Sequence, residues 1–204
     1  MSPRPDVSKE RTKQILQAAL VVFSQLGFER ARMEDIAAQA GLSSATLYLY
    51  FKNKQAIVTA INQSLFTAEL DGLQQVLTVP GTARERILGM VDAIAAEMEQ
   101  QSATMSIVYE FFAMGLRQPA ARQTLQAFLR QTQAVLEALV QEGMAQGEFR
   151  PADTAQVAAA IAAMIEGTLL LWGYDPERVQ LRSQIARGVE LLLDGLRPAP
   201  PSGG

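Results

Sequence analysis

The sequence predicts an all-α fold of about nine helices. An N-terminal three-helix domain with a helix-turn-helix, residues 1–53, precedes a helical C-terminal domain, residues 54–204. Three observations carry this. Apolar residues recur at helical spacing through most of the chain, and no stretch alternates as a strand does. Start and stop signals such as Ser43, Asn53, Thr82, Asp153 and Pro80-Gly81 cut the chain into helix-length pieces. The segment Arg32 to Lys54 has the spacing of two short helices around a turn at Ala40-Gly41-Leu42. There the small Ala37 permits close helix approach, Gly41 supplies the left-handed turn, and Ile36, Ala40, Leu42, Leu47 and part of Tyr50 form the wedge.

Taken in order, residues 1–7 read as a disordered basic leader, and Ser8 as the cap of a first helix over about 9–26. Ile15, Ala19, Val22, Phe23 and Leu26 form its apolar stripe, and Gly27 closes it. A second helix covers about 33–40 and a third, capped by Ser43, about 44–50. The outward residues of the third are Ser44, Ala45, Tyr48 and Leu49, and this helix would lie in a DNA major groove. Asn53 caps a fourth helix with Ile57, Ile61, Leu65 and Ala68 inward; it runs about 35 Å toward Pro80-Gly81 and links the N-terminal domain to the C-terminal one.

Thr82 to Glu85 is a capping box opening a fifth helix to about Gln100, with Ile87, Val91, Ile94 and Met98 inward. The sixth, about 103–117, is apolar on nearly all sides, from Met105 to Leu116, which predicts a central position. Pro119 starts the seventh, about 119–146, with Leu125, Phe128, Leu129, Leu136, Leu139 and Val140 inward. Asp153 to Gln156 starts the eighth, which reaches about Trp172. Asp175-Pro176 starts the ninth, which ends near Leu196, and the tail from Pro200 to Gly204 reads as disordered.

Composition narrows the chemistry. The 204 residues include no Cys and no His. Disulfides, thiol catalysis and Cys-ligated metals are excluded, and so is the commonest general base near neutral pH. No phosphate-binding glycine loop or nucleophile elbow occurs, so no catalytic residue, metal ligand or cofactor is expected and the chain reads as a non-enzyme. Residues 1–60 carry eight Lys/Arg and five Asp/Glu, whereas residues 61–204 carry ten and sixteen. A basic start on an acidic chain suggests nucleic-acid contact confined to that start. Residues 1–10 contain no secretory signal, which sets the expected location in the cytoplasm. The apolar run Val157 to Trp172 contains Glu166 and falls short of the roughly 20 residues a bilayer span needs, so no membrane contact is expected.

Residues 10–58 resemble the N-terminal domain of the tetracycline-repressor (TetR) family of transcriptional regulators. The resemblance lies in Ile15-Leu16-x-Ala18-Ala19, Phe23, Gly27-Phe28, Met33-x-Asp35-Ile36-Ala37, Ala40-Gly41-Leu42-Ser43, Thr46-Leu47-Tyr48, Tyr50-Phe51 and Asn53-Lys54. It implies a homodimeric repressor whose two third helices enter successive major grooves of a pseudo-palindromic, double-stranded operator. A small-molecule effector in the C-terminal ligand-binding and dimerisation domain would release the DNA. On the matching positions, Tyr48, Tyr50 and Lys54 would contact phosphates, with Ser43 holding the helix start at the backbone. Ser44, Ala45, Thr46 and Leu49 would approach base edges or phosphates. Arg32 stands where the family commonly has Thr; it lacks a capping hydroxyl but suits a phosphate. Leu49 replaces a frequent polar residue and offers a thymine methyl only apolar contact. Lys52 reads as part of a solvated face.

The effector's nature is read from residue types. Phe66, Met98, Tyr109, Phe112, Phe128 and Trp172 are candidates to line an adaptable apolar pocket, with Glu110 and Glu166 as anchors for a cationic or hydrogen-bonding group. The eighth helix is rich in Ala, and the ninth has the stripe Leu181, Ile185, Val189, Leu192 and Leu196. Both are expected to pair with their symmetry mates in a four-helix homodimer interface, unless the stripes face the chain's own core. The competing readings are a helical dimer that binds a hydrophobic molecule or protein without DNA, and a helical enzyme.

Overall fold

The computed structural model describes residues 7–100, 102 and 105–198, and these hold nine α-helices. They are α1 (Val7–Arg30), α2 (Met33–Gln39), α3 (Ser44–Tyr50), α4 (Lys54–Val76), α5 (Ala83–Gln100), α6 (Met105–Arg117), α7 (Pro119–Ala145), α8 (Thr154–Tyr174) and α9 (Leu181–Asp194). The leader and tail expected to be disordered lie outside the described residues, except for Val7, which opens α1. Ser8 is therefore already inside α1, where its carbonyl accepts the Thr12 hydroxyl at 2.9 Å.

Most start signals act as expected. Asn53 Oδ1 accepts the Ala56 N–H at 2.9 Å, and Asp153 Oδ1 accepts that of Gln156 at 3.1 Å. Thr82 and Glu85 form the reciprocal box: Thr82 Oγ1 accepts the Glu85 N–H at 3.1 Å and Glu85 Oε2 that of Thr82 at 2.9 Å. The start of α9 is different. Asp175 accepts the Arg178 N–H on its side chain and the Val179 N–H on its carbonyl. It thus closes a local turn, and α9 begins at Leu181.

Two compact units divide the chain, Met1–Thr67 with Ala103–Leu125, and Ala68–Ser102 with Gln126–Gly204; the division falls within α4 and within α7. The first unit buries Ile15, Ala19, Val22 and Phe23 of α1 against Ile36, Leu47, Ile57, Val58, Ile61 and the α6 residues Ile107 and Phe111. Leu26, at the last turn before Gly27 breaks the helix (φ 75°, ψ 159°), is 37% exposed. Leu116 is 80% exposed at the end of α6, so α6 is not apolar-packed on every side. On α4 the inward stripe turns past the expected Ala68, which is exposed, and takes in Asn62, Phe66 and Leu73. Asn62 is fully buried and donates its side-chain N–H to the Val58 carbonyl at 2.9 Å.

The second unit is one apolar cluster. Ile87 and Val91 of α5, Leu136, Leu139 and Val140 of α7, Ile161 and Ile165 of α8, and Leu181, Ile185, Val189 and Leu193 of α9 meet in it. Each such side chain contributes about 1.5–3 kcal/mol by leaving water. Leu129 of α7, expected inward, is exposed. The end of α7 also starts α5. Gly147 (φ 77°) turns the chain, with the Glu148 N–H on the Gly143 carbonyl at 2.8 Å. The Glu148 carboxylate then accepts the Ala83 and Arg84 N–H groups at 3.0 and 3.2 Å, satisfying donors that α5 leaves open. Elsewhere in the same unit α5 and α9 are tied by a two-pronged Arg182–Asp92 pair, and the Arg182 guanidinium holds the Asp92 carboxyl below the ordinary range.

Leu181, Ile185, Val189 and Leu196 of the α9 stripe are buried in this core and Leu192 packs against it, so the stripe takes the alternative of facing the chain's own core and not a dimer interface. By length and composition α8 is apolar enough to cross a membrane; Ala158, Ile161, Ile165 and Leu169 pack into the unit's core, but Leu170, Leu171 and Tyr174 are exposed, so the helix is buried on one side and not, as the sequence predicts, throughout.

Candidate nucleic-acid interface

The turn between α2 and α3 is set by backbone geometry. Gly41 sits at φ 64° with open space where a Cβ would be, so the glycine is required by its backbone angle and not by crowding. The Leu42 N–H bonds the Ala37 carbonyl at 2.9 Å and the Gly41 N–H the Ala38 carbonyl at 3.0 Å, the double closure of a Schellman end. A support that the sequence does not announce comes from α1, where Gln14 Nε2 donates to the Ala40 carbonyl at 2.6 Å. Ala37, Ala40, Ile36 and Leu47 are buried, which fixes the angle of α3.

Ser43 Oγ accepts the Thr46 N–H at 3.1 Å and lies 2.8 Å from Thr46 Oγ1. Both hydroxyls are thus drawn toward the helix start. With Leu47 turned inward, Ala45, Tyr48 and Leu49 are exposed, while Ser44, Thr46 and Tyr50 are half-buried. Tyr48 is 50% and Leu49 85% exposed. The two tyrosines therefore part company, as positions two apart on a helix must. A leucine so bare on a surface helix is unfavourable in water and gains from a partner with apolar patches, such as a major groove with thymine methyls.

Beside α3 lies a cleft of about 660 Å³ lined by Arg30, Arg32, Tyr48, Lys52 and Lys54, with Glu29 as its acidic member. Lys52, which reads as a solvated side chain in sequence, and Arg30 join the expected Arg32 and Lys54 here. Asp35 Oδ2 accepts the Arg32 N–H at 2.9 Å, so the start of α2 is closed by Asp35. Arg32 itself is exposed, and its guanidinium is a donor-only group suited to an anion. Lys54 has another partner set: Nζ donates to the Phe28 and Glu29 carbonyls at 2.6 and 3.2 Å and stands 4.6 Å above the Phe28 ring. Phe28 in turn packs on Phe23 with ring centroids 5.6 Å apart. This clasp joins the start of α4 to the link between α1 and α2, leaving at most one ammonium N–H for a phosphate.

The expected effector residues divide between the units. Phe66, Tyr109, Glu110 and Phe112 belong to the first, where Phe66 is buried with its ring 5.9 Å from Phe111; Tyr109, Glu110 and Phe112 are half-buried. Met98, Phe128, Glu166 and Trp172 belong to the second, where Phe128 is buried and Met98 and Trp172 pack against the apolar cluster. Residue typing passes over Glu69, on which the charges of Glu166 and Glu97 act. Burial raises the Glu166 pKa. Glu69, pressed by desolvation and then by the charges of Glu166 and Glu97, is raised to about 8.

A wedge-locked second helix with a bare outer face beside a basic cleft is the working part of a DNA-binding regulator of the helix-turn-helix type. Residues 15–61 match the bacterial regulatory proteins of the tetR family, and residues 83–197 match the C-terminal domain of BetI-type transcriptional repressors. The chain belongs to the TetR family and is a ligand-responsive, DNA-binding transcriptional repressor. Among its relatives, the fatty acid metabolism regulator protein of Bacillus subtilis is 26% identical over 186 residues, 90% of this chain and 94% of that one. The fold is shared with FadR from Bacillus subtilis in complex with stearoyl-CoA, at TM-score 0.73 and 23% identity over 91% of this chain and 99% of the other. It is shared also with a regulator from Saccharomonospora viridis in complex with choline, at TM-score 0.83 and 19% identity over 94% and 100%.

Proposed function

We propose that two copies of the chain hold a pseudo-palindromic operator and leave it when a small, largely apolar molecule binds the C-terminal domain. The division of labour is residues 1–53 for DNA and residues 54–204 for effector and partner copy. The exposed outer face of α3 beside the basic cleft carries this reading. Ser44, Ala45, Thr46 and Leu49 face base edges or nearby phosphates; Arg32, Ser43, Tyr48 and Tyr50 hold the backbone, with Lys52 added to them. Lys54 serves mainly as the clasp that positions α4. In the C-terminal domain, Phe66, Met98, Tyr109, Glu110, Phe112, Phe128, Glu166 and Trp172 remain the effector contacts. The setting is the bacterial cytoplasm, and no catalysis is involved.

The homodimer is proposed to form through the outward sides of α8 and α9. Ala155, Ala159, Ala163, Gly167, Leu170, Leu171 and Tyr174 of α8 and Leu191 of α9 are exposed, and small residues at four-residue spacing suit close helix contact. A mobility-shift titration on the duplex upstream of the chain's own gene tests the function. Saturable retention that exceeds retention on an unrelated duplex is expected, and equal weak retention of both would refute it.

A further inference from the structure

The outer face of α3 lacks the side chains that read bases by paired hydrogen bonds. The helix is Ser44-Ala45-Thr46-Leu47-Tyr48-Leu49-Tyr50, with no Arg, Lys, Asn, Gln, Asp or Glu. In a major groove, guanine is read by two parallel bonds from Arg or Lys, adenine by two from Asn or Gln, and cytosine by a carboxylate. None of these pairs is open to α3. The hydroxyls at its start discriminate poorly. Those of Ser43 and Thr46 lie 2.8 Å apart and close on each other, and Ser43 Oγ also accepts the Thr46 N–H at 3.1 Å. Ser44 is half-buried, and a serine hydroxyl donates and accepts alike, so it suits any base. The cations stand off the helix. Arg30, Arg32 and Lys52 line the cleft beside it, and Lys54 is bonded to the Phe28 and Glu29 carbonyls.

The face that remains is apolar. Leu49, at 85% the most exposed large apolar side chain among the described residues, adds nothing to the core of its own unit. Ala45, one turn earlier on the same side of the helix, is exposed as well. One feature of a base edge matches such side chains, the 5-methyl group of thymine. Covering Leu49 with that methyl removes apolar surface from water, a gain realised only on the duplex.

We propose that Leu49 reads the 5-methyl group of a pyrimidine in the operator, so that the base selected under α3 is thymine, told from cytosine by its methyl and not by a hydrogen bond. The proposal deepens the reading of α3 as the duplex-facing helix and rests on it. Ala45 offers its own methyl about 6 Å along the helix axis, to a neighbouring base pair. Uracil keeps the hydrogen-bonding edge of thymine and lacks only the methyl, so it is rejected. 5-Methylcytosine carries the methyl on the other pyrimidine, and no carboxylate or amide on α3 tests its amino group, so it is accepted.

The test starts with selection from a randomised duplex pool by the full chain. The recovered site is then titrated by anisotropy with each thymine replaced in turn by uracil. Loss of the methyl under Leu49 should weaken binding about fourfold, the effect of one buried methyl-sized group. At the same position 5-methylcytosine opposite guanine should bind within about twofold of thymine, and unmethylated cytosine as weakly as uracil. Leu49→Ala, a change at a bare surface position, should melt as the parent does and bind the thymine site about fourfold more weakly. Its response to uracil should fall below about 1.5-fold, which places the methyl and the leucine in one contact. A specific site at which no thymine responds to uracil overturns the proposal and leaves DNA binding by α3 standing. An equal uracil effect in Leu49→Ala assigns the preference to duplex shape and also overturns it. So does 5-methylcytosine binding as weakly as cytosine, since a hydrogen bond would then be the discriminator. Failure to enrich any sequence above an unrelated duplex contradicts sequence-specific binding itself, and the proposal falls with it.

Discussion

Glu69 links the sequence to a measurable pH dependence. Its folded-state pKa of about 8 lies above the ordinary 4.5, so the folded chain keeps a proton that the unfolded chain has lost. The resulting stabilisation is complete below about 4.5 and is lost as pH rises through about 8. With no His and no Cys in the chain, few other groups titrate in that window. The urea midpoint of the parent should fall between about pH 5 and pH 9, while Glu69→Gln stays flatter and is the more stable at pH 9 by on the order of a few kcal/mol. Parallel curves for the two proteins would contradict the assignment. At the DNA end, Lys52 and Lys54 separate by salt dependence. Lys52→Ala should lower the slope of log affinity against log salt by about one, as a lost phosphate contact does. Lys54→Met should weaken operator binding by roughly 1–2 kcal/mol through loss of the carbonyl clasp and leave the slope unchanged. A slope change for Lys54 would make it a phosphate contact after all.

Elements were legible where a local rule fixes them. Ser43, Asn53, Thr82 and Asp153 start their helices by hydrogen bonds to residues three positions on, so a sequence window suffices. Asp175 has the same appearance and closes a turn instead, because nothing local distinguishes a turn from a first helical turn. Long-range partners are invisible to such rules. Glu148 caps α5 from 65 positions away, Gln14 holds the Ala40 carbonyl, and Glu69 finds Glu166 only once α4 and α8 are folded. In the candidate site, Ala45, Tyr48 and Leu49 of the expected outward set are exposed, whereas Ser44 is half-buried at the helix start. The roles of Lys52 and Lys54 depended on where the link before α2 lies. The turn itself gives a direct test: Gly41→Ala places a Cβ at φ 64° and should cost about 1–2 kcal/mol in urea unfolding without steric clash. An unchanged midpoint would mean that the turn relaxes freely.

For the whole molecule, the outward side of α8 decides the assembly. Leu171 is 59% and Tyr174 81% exposed, beside the small residues Ala163 and Gly167. A second copy covering this face removes the apolar surface from water, and a twofold contact brings each residue near its own mate. Light scattering at micromolar concentration should give twice the 22.2 kDa chain mass, and Leu171→Arg should shift it toward one chain. A monomeric parent would end the dimer proposal. The central claim, that α3 presents its outer face to a duplex, is tested most directly by anisotropy titration of the upstream duplex at about 50 and about 200 mM salt, parent against Tyr48→Ala. The expected result is specific binding that weakens steeply with salt and falls by about 1 kcal/mol or more in the variant. Salt-independent retention, or a Tyr48→Ala chain that binds the duplex as the parent does, would contradict it.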